Sequence, residues 1–154
     1  MGRLWDKLTG TKRPESGVAP LPSTEVRAAL LALNVPDVPY RVRNALPAEK
    51  ADLVAECQIR RVGVRLKTRI RLNPEKNEVC FLDERWESRS SDHANAQYGR
   101  GHAPATYRQW ETKQGPDGRR QKVEVFRFDT QEMTDPLRDA VLAAGWTWRG
   151  VFKL

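Results

Sequence analysis

The chain reads as an α+β fold, a mainly antiparallel β-sheet of about five to six strands with one N-terminal and one C-terminal helix packed on it. Three stretches carry this expectation. Between residues 61 and 72, Val62, Val64, Leu66, Thr68, Ile70 and Leu72 alternate with Arg61, Gly63, Arg65, Lys67, Arg69 and Arg71. That period of two puts one dry and one charged side on a strand. Asn73-Pro-Glu-Lys-Asn77 then has turn composition, so Glu78 to Trp86 returns as an antiparallel partner. Near the C-terminus, Asp135 as cap and Pro136 at the first helical position open a helix over residues 136 to 144. Leu137, Ala140, Val141 and Ala144 form its stripe, and Gly145 ends it.

Leu4, Trp5 and Leu8 share one side of a short first helix, with Arg3 and Lys7 nearby. A ridge this short binds lipid weakly, so a frayed terminus or a flap on the domain is the preferred reading, and weak membrane contact the alternative. Pro14, Gly17, Pro20 and Pro22 mark residues 11 to 22 as a flexible linker, leaving 23–154 as a single domain. Ser23 or Thr24 can cap a helix over 24–33, where Val26, Leu30 and Leu33 recur on one face. The prolines at 36 and 39 stop it, and Tyr40 to Arg43 begin a strand.

Residues 47–59 send two signals. Pro47 and the alanines after it favour a helix, whereas Leu53, Ala55, Cys57 and Ile59 alternate with Asp52, Glu56, Gln58 and Arg60. The alternation extends further, so a strand is expected from about residue 52. In the strand from Glu78, Cys80, Leu82 and Trp86 share one face and Val79, Phe81, Asp83, Arg85 and Glu87 the other. Residues 88–120 are polar and expected to be partly mobile, with a strand near 104–112. Gly115-Pro-Asp-Gly118 is a turn into a strand from Gln121 to Phe128, and Trp146, Trp148, Gly150 and Phe152 define a last strand with an aromatic face.

The run from Phe126 to Val151, with Asp52-Leu-Val-Ala-Glu56 upstream, resembles a family of uncharacterised actinobacterial proteins. The resemblance covers about half the chain, supports the strand at 52–59 and implies no activity.

With 154 residues, 39% of them hydrophobic, the chain can build one ordinary core. No apolar run approaches the roughly 20 residues of a membrane span, and no signal peptide opens the sequence, so a cytoplasmic protein is expected. Cys57 and Cys80 are expected as reduced, partly buried thiols. The formal net charge of +7 favours an acidic protein or nucleic acid as partner.

Within that charge, Arg61, Arg65, Lys67, Arg69 and Arg71 lie on one strand face at the spacing that suits a polyanion. The competing reading is a salt-bridged outer face, with Asp52, Glu56, Asp83 and Glu87 on neighbouring strands as counter-charges. No aromatic residue interrupts this strand; Tyr98, Tyr107 and Trp110, near Arg100 and Arg108, offer a weaker stacking signal, and the C-terminal tryptophans are expected in the core. Catalysis has no diagnostic spacing to rest on. His93, His102, Cys57, Cys80, Glu84 and Asp129 form no recognisable set, no catalytic residue is assigned, and neither a cofactor nor a metal is expected. The leading expectation is a non-enzymatic binding protein using the basic strand. A peripheral membrane protein using Leu4, Trp5 and Leu8, and an enzyme with a site in the 88–120 loop, are the alternatives.

Overall fold

The computed structural model describes residues 2–88 and 97–154. Helix α1 (Gly2–Thr9) and helix α2 (Ser23–Leu31) precede strands β1 (Arg41–Asn44), β2 (Leu53–Ile59), β3 (Val64–Asn73), β4 (Glu78–Glu87) and β5 (Gln97–Arg100). Strands β6 (Thr106–Gln114) and β7 (Arg120–Asp129), helix α3 (Gln131–Ala143) and strand β8 (Thr147–Gly150) follow, with short 3-10 turns at Pro47–Glu49 and Arg60–Val62. Among the described residues, β1 to β5 and β8 form a six-stranded sheet in which β8 pairs with β4, and β6 and β7 form a separate two-stranded ribbon. The fold is α+β; the sheet is antiparallel except that β8 runs parallel to the first half of β4, whose second half pairs with β5.

One sheet face is the core. Leu53, Ala55, Cys57 and Ile59 of β2, Val64, Leu66 and Ile70 of β3, and Val79 and Phe81 of β4 are buried with Val26 and Leu30 of α2 and Met133, Leu137 and Val141 of α3. Trp148 stacks on Phe81, ring centroids 4.2 Å apart, and both are fully buried. Trp146 donates its indole N–H to the Leu21 carbonyl at 2.8 Å, giving a buried polar edge its partner.

The segment 11–22, expected as a linker, runs along the C-terminal elements. Lys12 and Trp148 exchange backbone hydrogen bonds at 2.8 Å, and Leu21 N–H bonds to Ala144 O at 2.9 Å. Gly150 N–H bonds to the buried Thr11 hydroxyl. A Cβ on Gly150 would stand 1.8 Å from the Thr9 carbonyl oxygen, so only glycine fits there.

Several local expectations need correction. The cap position of α2 is Pro22, and neither Ser23 nor Thr24 caps with its side chain. Helix α3 begins five residues before Pro136: Asp129 Oδ1 accepts the Gln131 N–H, the buried Met133 anchors the added turn, and Pro136 lies inside the helix. Packing of Met133 outweighs the start signal of Asp135-Pro136. Trp146 precedes β8, and Phe152 is 46% exposed beyond it, edge-on to Trp5.

Candidate functional site

The outer face of the sheet is assembled by register. Glu56 lies opposite Lys67, Lys67 opposite Glu84, Arg65 opposite Trp86, and Trp86 opposite Tyr98. Val54 and Leu82 on this face are fully buried. They are covered because the β1–β2 connection folds back over it: Arg69 donates to Glu49 O at 2.9 Å and Arg71 to Lys50 O at 2.7 Å.

This fold-back decides the fate of the basic stripe. Glu49 pairs with Lys67 and, in a two-pronged contact at 2.7 and 2.8 Å, with Arg43. It also accepts the Leu46 N–H, capping its own turn. The guanidinium of Arg43 and the ammonium of Lys67 hold its carboxyl below the ordinary carboxylate range against the opposing effect of burial, and Arg43 in turn is held above its usual range. Arg69 Nε bonds to Glu84 at 2.7 Å, and Tyr98 donates its hydroxyl to the same carboxylate. The side chains of Lys67 and Arg69 keep only 19% and 18% of their surface. Two of the five stripe cations are therefore enclosed structural charges.

The other three differ. Arg61 is not on the strand: the chain turns through a 3-10 helix at 60–62, and the guanidinium lies 5.6 Å from the Phe126 ring centroid. Arg65 is exposed and lies 4.2 Å over the Trp86 ring, which packs at 5.3 Å against Tyr98. Arg71 is exposed and, among the described residues, bonded only to the Lys50 carbonyl. Arg41 and Arg100, absent from the stripe in the sequence reading, join the same face from β1 and β5, both exposed. Among the described residues, none of Arg41, Arg65, Arg71 and Arg100 forms an ion pair.

The counter-charges also need correction. Glu56 does pair, with Arg43 at 3.0 Å. Asp83 and Glu87 point to the opposite face, where Asp83 accepts the Thr68 hydroxyl at 2.6 Å and Glu87 the Tyr107 hydroxyl at 2.7 Å. Asp52 accepts the Leu72 N–H and approaches Arg27 at 3.8 Å. Glu84 was within reach of sequence reasoning, because a hairpin closed by the turn at 74–77 sets Lys67 opposite residue 84. Glu49 was not, since it arrives through a loop.

Comparisons with protein-family models, with curated proteins and with solved structures find no match.

A cavity of about 40 Å³ lies on the core side between β4, β5 and the start of α3, lined by Thr68, Asp83, His102 and Met133 among others. Burial pushes Asp83 up to about 6, against the opposing Thr68 bond and Arg85. Burial, with Arg138 adding to it, pushes His102 down. His102 Nδ1 stands 3.9 Å from Asp83, beyond hydrogen-bond distance, and its ring packs edge-on to Phe81. His93 lies outside the described residues. Burial also pushes the Cys57 thiol up to about 11 and raises Cys80, so neither is an activated nucleophile; both thiols are free. Among the described residues, no group of His, Cys, Asp and Glu could hold a metal ion. Leu4, Trp5 and Leu8 are 73%, 55% and 59% exposed, and among the described residues no helix is long and apolar enough to cross a membrane.

Proposed function

We propose that the protein is a non-enzymatic nucleic-acid-binding protein that contacts phosphates with the outer face of its sheet. The supporting observation is the set Arg41, Arg65, Arg71 and Arg100, exposed on one face and in no ion pair among the described residues, although Glu56 lies opposite Arg41 and Glu84 opposite Arg100. All are arginines, whose planar fork matches a phosphate in two-pronged contact better than a lysine does. The site accordingly keeps Arg65 and Arg71 of the stripe and adds Arg41 and Arg100 from the neighbouring strands, with Lys67 and Arg69 as the framework beneath.

An Arg41→Gln/Arg65→Gln/Arg100→Gln variant should bind a labelled oligonucleotide about tenfold more weakly at moderate salt, with a salt slope shallower by about 2 to 3. Unchanged affinity and slope would remove this face from the contact surface. The same reading puts the protein in the cytoplasm, where buried thiols such as Cys57 stay reduced.

A second reading is favoured by the exposed ridge Leu4, Trp5 and Leu8, extended by Phe152. An apolar ridge beside basic residues suits peripheral contact with an anionic lipid surface. Co-sedimentation with anionic vesicles that disappears in Leu4→Ser/Trp5→Ser/Leu8→Ser would support it; no co-sedimentation by the native protein would reject it.

A further inference from the structure

We propose that the β6–β7 ribbon is an arm that enters a groove of double-stranded nucleic acid. The inference deepens the nucleic-acid reading above and rests on it.

The ribbon has two halves. Its base is fixed to the domain: Phe128 is buried, Tyr107 bonds to Glu87, and Ala105 and Thr130 hydrogen-bond across its start. A bulge between Gln109 and Trp110 then interrupts the register, leaving Val125 as the extra residue. Beyond the bulge, from Trp110 through the turn to Glu124, every residue except Gly115 is exposed. Two strands with both faces in water gain little from burial, and such a hairpin is marginal by itself. The fold anchors the base and leaves the outer half unpacked.

What the outer half presents is charge. Lys113, Arg119, Arg120 and Lys122 gather around the turn, opposed there by Asp117, while the carboxylates Glu111 and Glu124 lie back toward the bulge, where Glu124 is 3.7 Å from Arg108. Arg119 is 87% exposed and only reaches Asp117 at 4.0 Å, while Lys113, Arg120 and Lys122 form no ion pair among the described residues. The register pairs Thr112 with Lys122, Lys113 with Gln121 and Gln114 with Arg120. Lys122 and Arg120 thus lie on one face and Lys113 on the other. Cations on both faces fit a groove, whose two walls both carry phosphates.

Size agrees. Paired strands about 4.8 Å apart, with side chains, fill a major groove about 12 Å wide, which admits a two-stranded ribbon. Gln114, Gln121 and Thr112 lie between the cations, and side chains of this kind can hydrogen-bond to base edges. A solubilising fringe that merely guards exposed strand edges would carry the same charges. It would not distinguish a duplex from a single strand.

The test is fluorescence anisotropy of a labelled duplex and of its separate single strand across about 50–200 mM salt. The native protein is compared with Lys113→Gln/Arg119→Gln/Arg120→Gln/Lys122→Gln and with the outer-face triple variant. Thermal melting checks that each variant is folded; the ribbon substitutions are all at exposed positions. The native protein should prefer the duplex. The ribbon variant should lose that preference, with duplex affinity down about ten- to hundredfold and a salt slope shallower by about 3 to 4, while keeping its single-strand binding. A ribbon variant that binds duplex as the native protein does, while the outer-face variant does not, would overturn the inference and leave the broader reading standing. No oligonucleotide binding by the native protein would overturn both.

Discussion

Strand β3 and the β6–β7 ribbon both carry cations at strand spacing, and they use them in opposite ways. In β3, Lys67 and Arg69 face Glu49 and Glu84, whose side chains keep only 10% and 9% of their surface, and the β1–β2 loop lies across them. In the ribbon, Lys113, Arg120 and Lys122 face water. The denser run of positive charge is thus the one whose central pair, Lys67 and Arg69, the fold has already neutralised. Alternation says which face a cation occupies; what lies opposite it is decided by register and by loops.

Removing the shared carboxylate should break the comparison most severely. Glu49→Ala strands Lys67, leaves Arg43 with Glu56 alone and removes the turn's own cap, with an expected loss of about 2–3 kcal/mol in urea unfolding. Arg69→Ala should cost about 1–2 kcal/mol, because it leaves the enclosed Glu84 with only Tyr98. Arg120→Ala, from the exposed ribbon, should stay within about 0.5 kcal/mol. A cost for Arg120→Ala equal to that for Arg69→Ala would erase the distinction.

Acid should separate the regions further. Glu49 has a carboxyl held below its ordinary range, so its contribution is present above about pH 4.5 and is lost as pH falls toward its folded value. Asp83 has the opposite sign. Raised to about 6, it stays protonated in the folded state where the unfolded chain is already ionised. Its contribution therefore falls as pH rises from about 4 to 6. Asp83→Asn keeps an acceptor for the Thr68 hydroxyl and should flatten that part of the stability profile; an unchanged profile would assign it to other groups. A modest effect is expected on the exposed outer face: Arg65→Ala should alter Trp86 fluorescence while costing about 0.5–1 kcal/mol.

Much of this architecture was legible in the chain. The β3–β4 hairpin, the strand choice at 53–59 and the buried Trp146 and Trp148 follow from alternation and turn composition. Helix α3 was misplaced at its start because Asp135-Pro136 is a strong local signal, whereas burial of Met133 depends on the sheet beneath it. The stripe's neutralisation was half legible: the hairpin register yields Glu84, but Glu49 reaches Lys67 through a loop whose path no periodicity encodes. The ribbon left a signal that went unused. Between Trp110 and Val123 no large apolar residue occurs, so neither face of those strands has anything to bury.

The most direct test follows the arginine side-chain Nε–H signals by ¹⁵N NMR, with and without a short duplex. Arg43 and Arg69, already bonded to Glu56 and Glu84, should be protected from exchange in both conditions. Arg65, Arg119 and Arg120 should become protected only when duplex is added. If duplex instead shifted Arg43 and Arg69 while the ribbon arginines stayed in fast exchange, the enclosed ion-paired arginines would be the contact surface and the assignment of the two regions would be reversed.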